Sequence, residues 1–169
     1  MGKLRLRPLR DDDEAAFAAA QRTMAAEGFP FGFDFDDTTV WAAYVERLDQ
    51  HRCGSNLAPG RVPATYLVAD VDGTIVGRAS IRHELNDFLA REGGHIGYCV
   101  LPPYRGRGYA TEILRQSLVI ARSVGVDDAL LVCDADNLAS ATVIDRCGGL
   151  LADRTTDSGG TLIRRYWIS

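Results

Sequence analysis

One stretch constrains the fold more than any other: Gly97-Tyr98-Cys99-Val100-Leu101-Pro102-Pro103-Tyr104-Arg105-Gly106-Arg107-Gly108-Tyr109-Ala110-Thr111. Its first half is apolar and strand-like, and the two prolines, which cannot donate to a ladder, end it. Two glycines one residue apart follow. From Gly108 to Val124, Ile113, Leu114, Leu118, Ala121 and Val124 recur at helical spacing. A strand that passes through a Gly-rich turn into a helix aims successive N–H groups at one point and sets the positive end of the helix dipole behind them. The guest that suits this arrangement is a phosphate or pyrophosphate. Gly106 and Gly108 let the backbone approach it closely, and Arg105 and Arg107 can add charge.

The rest of the chain alternates strands and helices around that segment. Lys3 to Leu9 reads as a first strand. Asp11-Asp12-Asp13-Glu14 opens a helix that runs through Ala26 and stops at Gly28. A loop rich in aromatics and acids spans Phe29 to Asp37. Thr38 or Thr39 starts a second helix through Trp41, Tyr44, Val45 and Leu48. After a Gly/Pro loop from Cys53 to Pro63, strands at Thr65 to Val71 and Thr74 to Glu84 flank the hairpin signal Asp72-Gly73. Asn86 to Glu92 is a short connection, and Gly94 to Leu101 is the next strand. Beyond the long helix, Ala129 to Cys133 is a buried strand. Asn137 to Arg146 is a helix, and Leu150 to Arg154 and Thr161 to Ile168 close the fold. The order β-α-α-β-β-β-α-β-α-β-β predicts an α/β (mixed α+β) domain over residues 1–169, with one mostly antiparallel sheet of about seven strands.

Bulk properties exclude several classes. A net charge of −4 disfavours nucleic acid as a partner. No apolar run approaches the roughly 20 residues of a membrane-spanning helix. The opening MGKLRLRPLRDDDE lacks the apolar stretch of a secretory leader, so a cytoplasmic protein is expected. Cys53, Cys99, Cys133 and Cys147 show no C-x-x-C or zinc-ligand spacing, which predicts free thiols and no metal.

Two glycine-loop chemistries compete. Gly106-x-Gly108-x-x-Thr111 nearly fits a dinucleotide fingerprint, but its third position is not Gly or Ala and it follows two-thirds of the chain instead of the first strand. Arg105-x-x-Gly108-x-Ala110 instead matches the Arg/Gln-x-x-Gly-x-Gly/Ala signature of the GNAT superfamily of N-acetyltransferases. Its context strengthens the match: a strand ending Val-Leu-Pro before it, a long amphipathic helix after it, then a strand and Asn137 opening another helix. The whole element order resembles that fold. Gly93-Gly94-His95-Ile96-Gly97-Tyr98 and the ending Ile163-Arg164-Arg165-Tyr166-Trp167-Ile168 resemble a bacterial subgroup.

The resemblance implies an acetyl-CoA-dependent enzyme that moves acetyl to a primary amine of a small molecule or peptide by direct transfer. The alternative is a non-catalytic acyl-CoA-binding module of the same fold. The coenzyme's pantetheine arm would pair with Tyr98, Cys99 and Val100, where an N–H polarises the thioester carbonyl. Its pyrophosphate would sit on the backbone of Arg105, Gly106, Arg107, Gly108, Tyr109 and Ala110. Asn137 would touch the coenzyme and cap its helix. Where many members carry a thiolate-protonating Tyr, this chain has Ile144. Tyr98, Tyr104 and Tyr109 remain as nearby phenols. An alkylammonium with a pKa of about 10 must lose a proton, and His95, or else Glu84 or His83, stands near where relatives place a base. Asp34, Asp36 and Asp37 could attract a cationic amine, or the loop could simply fold its phenylalanines onto the core. A homodimer is expected on the same resemblance.

Overall fold

The computed structural model describes residues 2–169, so Met1, at the head of the N-terminal run, lies outside the described residues. Seven strands form as two antiparallel sheets. The first is ordered β1 (Arg5–Arg7), β2 (Ala64–Val71), β3 (Thr74–Arg82), β4 (Ile96–Val100). The second is ordered β5 (Ala129–Asp134), β7 (Leu162–Ile168), β6 (Leu150–Thr156). The β2–β3 turn has Asp72 at φ 52° and Gly73 at φ 85°, the two left-handed residues of a type I′ hairpin.

The sheets meet where β4 begins. The His95 amide donates to the Leu130 carbonyl at 2.7 Å, and beyond that point β4 and β5 are each edge strands, so the sheets part. Gly94 permits the junction. It sits at φ 66°, and a Cβ there would lie 2.6 Å from the Leu130 carbonyl oxygen. The expected single sheet is thus four strands plus three, joined at one end and open at the other.

Strand alternation gives the first sheet two apolar faces. On one face, Phe17, Ala20 and Met24 of α1 (Glu14–Ala25) and Trp41 and Tyr44 of α2 (Trp41–Arg52) pack with Phe31 on Tyr66, Val68 and Cys99. On the other, Leu114, Leu118 and Ala121 of α3 (Tyr109–Ser123) and Ala141 and Ile144 of α4 (Leu138–Arg146) cover Leu67, Ile81 and Ile96, in one cluster with Leu131 of β5. Among the described residues no helix is long and apolar enough to cross a membrane.

Several expected boundaries moved for identifiable reasons. Asp13 does not cap α1 with its side chain. It is buried, takes two hydrogen bonds from Arg7 at 2.7 and 2.9 Å, and accepts the Arg10 amide at 2.7 Å. Arg7 also pairs with Asp70 at 2.8 Å, so this carboxylate–guanidinium–carboxylate cluster pins β1, β2 and the start of α1 together. The second helix begins at Trp41, not at Thr38 or Thr39, because Asp36 holds both threonines in a turn. β3 ends at Arg82, which leaves Glu84 in the connection beyond it.

Candidate functional site

Two clefts open beside the first sheet. The first, about 680 Å³, lies between the end of β4, the Gly-rich loop, the start of α3, and the outer face of α4. Tyr98, Cys99, Val100, Arg105, Gly106, Gly108, Tyr109, Ala110 and Asn137 all line it, so all but one of the coenzyme contacts expected from the sequence gather in one place. Gly106 and Gly108 sit at φ 76° and 80°, with open space where a Cβ would project. The fold's demand for glycine is therefore the left-handed backbone itself. Among the described residues, no acceptor takes the amides of residues 106–111, which surround the N-terminus of α3. Such orphan donors at a helix start form an anion cradle.

The arginines are used differently from expectation. Arg105 is tied to the Val100 carbonyl at 3.0 Å and to Glu27 at 2.6 Å, so it braces the loop against β4 and α1 and has little charge left for a ligand. Arg107, the expected contact outside the cleft lining, lies over the Tyr104 ring and donates to the Pro103 carbonyl at 3.2 Å. The backbone, not these side chains, makes the site. On α4, Asn137 accepts the Ser140 amide at 3.0 Å, a plain N-cap whose residue also faces the cleft. Ser140 lines the cleft beside Tyr98, whose hydroxyl donates to Ser140 Oγ at 3.5 Å. Burial pushes the Tyr98 phenol up to about 12, so it is a proton-bearing donor at neutral pH. Ile144 packs in the core with only 1% of its surface exposed and does not face the cleft. Burial also raises the Cys99 and Cys133 thiols, which keeps both protonated and poorly nucleophilic.

The second cleft, about 360 Å³, is walled by Phe33 and Asp34 of the loop after α1, Arg47 and His51 of α2, Arg61, and the strand residues Tyr66, Ser80 and Arg82. Arg78 separates the clefts. Its guanidinium lies between the rings of Phe29, which lines the first cleft, and Phe33, which lines the second, at 5.0 and 4.9 Å. It also donates to the carbonyls of Pro30, Phe31 and Gly97.

The acetyltransferase (GNAT) domain model matches residues 3–149. The chain belongs to the GNAT acetyltransferase family. Solved structures agree in fold. Mycobacterium smegmatis RimJ in complex with CoA-disulfide is 20% identical, with a TM-score of 0.71 over 99% of this chain and 82% of that one. A Salmonella typhimurium protein solved with its cofactor acetyl-CoA is 16% identical, with a TM-score of 0.67 over 98% and 93%. A GNAT-family acetyltransferase from Streptococcus pneumoniae is 14% identical, with a TM-score of 0.68 over 98% of each chain. No curated protein matches the sequence significantly. Acetyl-CoA is the family's co-substrate, and the orphan amides and the size of the first cleft fit its phosphates and thioester arm.

Within this GNAT domain the residues expected as base lie elsewhere. His95 is only 7% exposed, and its Nδ1 accepts the Leu130 amide at 2.9 Å while its own amide binds the Leu130 carbonyl. Burial, with a smaller push from Arg82, holds its pKa below the usual histidine value. It lines neither cleft; its basic nitrogen is spent on stitching the sheets. Glu84 is exposed beyond β3 and lines neither cleft, and His83 sits 2.8 Å from Thr65 Oγ1. His51, on α2, is the one histidine that lines a cleft; burial, then Arg47 and Arg61, lowers its pKa, so it is neutral at pH 7. Sequence reasoning missed Ser140, though its position three residues after the helix-opening Asn137 places it one turn along on the Asn137 side of α4.

Proposed function

We propose that this chain, as a single domain, transfers the acetyl group of acetyl-CoA to a primary amine by direct transfer in a ternary complex. The observation that supports this most is the row of uncommitted amides at residues 106–111 beside the open edge of β4. The pyrophosphate would lie on those amides, and the pantetheine arm along Tyr98, Cys99 and Val100. The coenzyme supplies an activated thioester. The neutral amine nitrogen bonds to the acetyl carbon, the carbon–sulfur bond breaks, nitrogen gives up a proton and sulfur gains one.

The residues divide that work. Tyr98, hydrogen-bonded to Ser140 and held protonated by burial, is placed to give the proton to sulfur. Because Ile144 is a core residue, its lack of a hydroxyl does not favour the non-catalytic alternative. The guanidinium of Arg78 disfavours an ammonium beside it, so a bound amine sheds its proton more readily than in water. Burial that raises the Cys99 and Cys133 thiols disfavours an acetyl-cysteine. The test is thiol release from acetyl-CoA across a panel of amines: turnover with one class supports transfer. Coenzyme binding with no release for any amine would support the binding-module reading instead.

A further inference from the structure

The second cleft has a charge imbalance that the coenzyme does not explain. Arg47, Arg61 and Arg82 line it, against one lining carboxylate, Asp34. Asp34 is already engaged: its carboxylate holds Arg61 at 2.9 Å, and its backbone carbonyl accepts from Arg47 at 2.8 Å. Among the described residues no carboxylate pairs with Arg82, whose one acceptor is the Gly93 carbonyl at a long 3.4 Å. Arg82 is nevertheless desolvated, and burial together with Arg78 and Arg61 lowers its pKa to about 10. It remains charged at neutral pH.

A second observation locates the missing partner. Strand pairing puts Arg78, Ser80 and Arg82 of β3 on the same face as Gly97 of β4. A Cβ on Gly97 would lie 3.3 and 3.6 Å from the terminal nitrogens of Arg82 and 3.7 Å from one of Arg78. Two guanidiniums therefore converge over a residue with no side chain, with no counter-charge between them. Desolvated like charges repel; Arg78 is spent on three carbonyls, so the fork left to take two oxygens of one planar or tetrahedral anion is that of Arg82.

We propose that the second cleft holds the carboxylate or phosphate of a small acceptor, whose amine reaches past Phe33 toward the end of β4. This rests on the acetyl-transfer reading above. Strand geometry sets the acceptor's length: Gly97 to Val100 is about 10 Å. A long ω-amino acid or an amino-sugar phosphate approaches that distance, an α-amino acid, whose amine and carboxylate share one carbon, does not, and a polyamine or aminoglycoside is disfavoured by charge. The acids of the loop do not reverse this, since Asp34 is paired, Asp36 holds its own turn and Asp37 does not line the cleft.

The test uses matched acceptors in the thiol-release assay: an ω-amino acid such as 6-aminohexanoate against its amide, and glucosamine 6-phosphate against glucosamine. The anionic member of at least one pair should have the higher kcat/KM by about tenfold or more, and the pair that shows it names the carboxylate or the phosphate. Arg82→Gln should raise KM for that acceptor about tenfold while leaving its neutral partner and acetyl-CoA affinity little changed. Arg47→Gln, nearer the rim, should act the same way more weakly and guards against a folding defect in the first variant. Neutral or cationic amines used as well as anionic ones, an equal loss for both members in Arg82→Gln, or turnover only of peptides would overturn the proposal. Should no amine react, calorimetric binding of inorganic phosphate to the acetyl-CoA-saturated protein, lost in Arg82→Gln, would support the cleft while the transfer reading fails. No such binding would overturn the cleft.

Discussion

The two clefts that flank Arg78 are made of opposite materials. The first recognises through backbone: left-handed glycines, orphan amides and a strand edge, with its arginines spent on bracing. The second recognises through side chains, drawn from the loop after α1, α2, the Gly60 segment and β3. A backbone cradle depends on a few adjacent residues and tolerates almost any side chain, so one fold can keep one coenzyme. A side-chain cleft can be rewritten residue by residue, so on the proposal above it is where acceptor choice would reside. Substitutions should therefore affect the two substrates separately, and the same contrast decides which variants damage catalysis and which damage only the frame.

The largest catalytic effect is expected between the clefts and the chemistry, at the Tyr98–Ser140 pair. Tyr98→Phe removes the donor and should lower kcat by about 10²-fold with acetyl-CoA affinity nearly unchanged. Ser140→Ala, which removes only the partner, should cost less. Steady-state kinetics beside a coenzyme titration separates these outcomes. A Tyr98→Phe enzyme with full kcat would show that the thiolate leaves unaided.

His95→Gln should mark the frame rather than the reaction. Loss of the Nδ1 acceptor leaves the buried Leu130 amide unsatisfied, a cost of about 1–3 kcal/mol, while kcat/KM should stay within about threefold. Denaturant unfolding and the kinetic assay read the two together. A hundredfold loss of kcat/KM in a fully stable variant would return His95 to the site as a base.

The smallest effect is a pH dependence of stability in two steps. His95, His51 and His83 all have folded pKa values below the unfolded one. Their contribution is full above about pH 6.5 and declines as pH falls below it, because only the unfolded chain then takes the proton readily. Burial opposes charge on Asp13, but the Arg7 guanidinium and the Arg10 amide more than offset it and lower its pKa. That stability is present above about pH 4 and is lost as pH falls through the lower folded value. Asp13→Asn should flatten the acid step and leave the histidine step in place. An unchanged acid step would remove the Arg7–Asp13–Asp70 cluster from the account.

What the sequence showed follows the same division. The coenzyme loop was legible because its information is local: Gly106, Gly108 and the prolines fix a turn by backbone rules alone. The Asp72-Gly73 hairpin was legible for the same reason. The second cleft was not, because Asp34, Arg47, Arg61 and Arg82 meet only after α2 folds over β3. Counting acids in the Phe29–Asp37 loop suggested a cationic guest, but Asp34 is paired with Arg61, Asp36 is held by Thr38, and Asp37 does not line the cleft. The sheet-stitching contact of His95 was not legible either, because a strand pattern gives no sign that Gly94 lets β5 approach and take up the imidazole.

The central claim is that the bare amides of the Gly106–Gly108 loop hold the pyrophosphate of acetyl-CoA. Calorimetric titration of acetyl-CoA into the wild-type chain and Gly108→Val tests it most directly. A β-branched residue at φ 80° must strain or shift the turn that aims those amides. The wild-type protein should bind, and Gly108→Val, still folded by circular dichroism, should bind about a hundredfold more weakly or not at all. Equal affinity in the two proteins, or no binding by the wild type at millimolar coenzyme, would contradict the account.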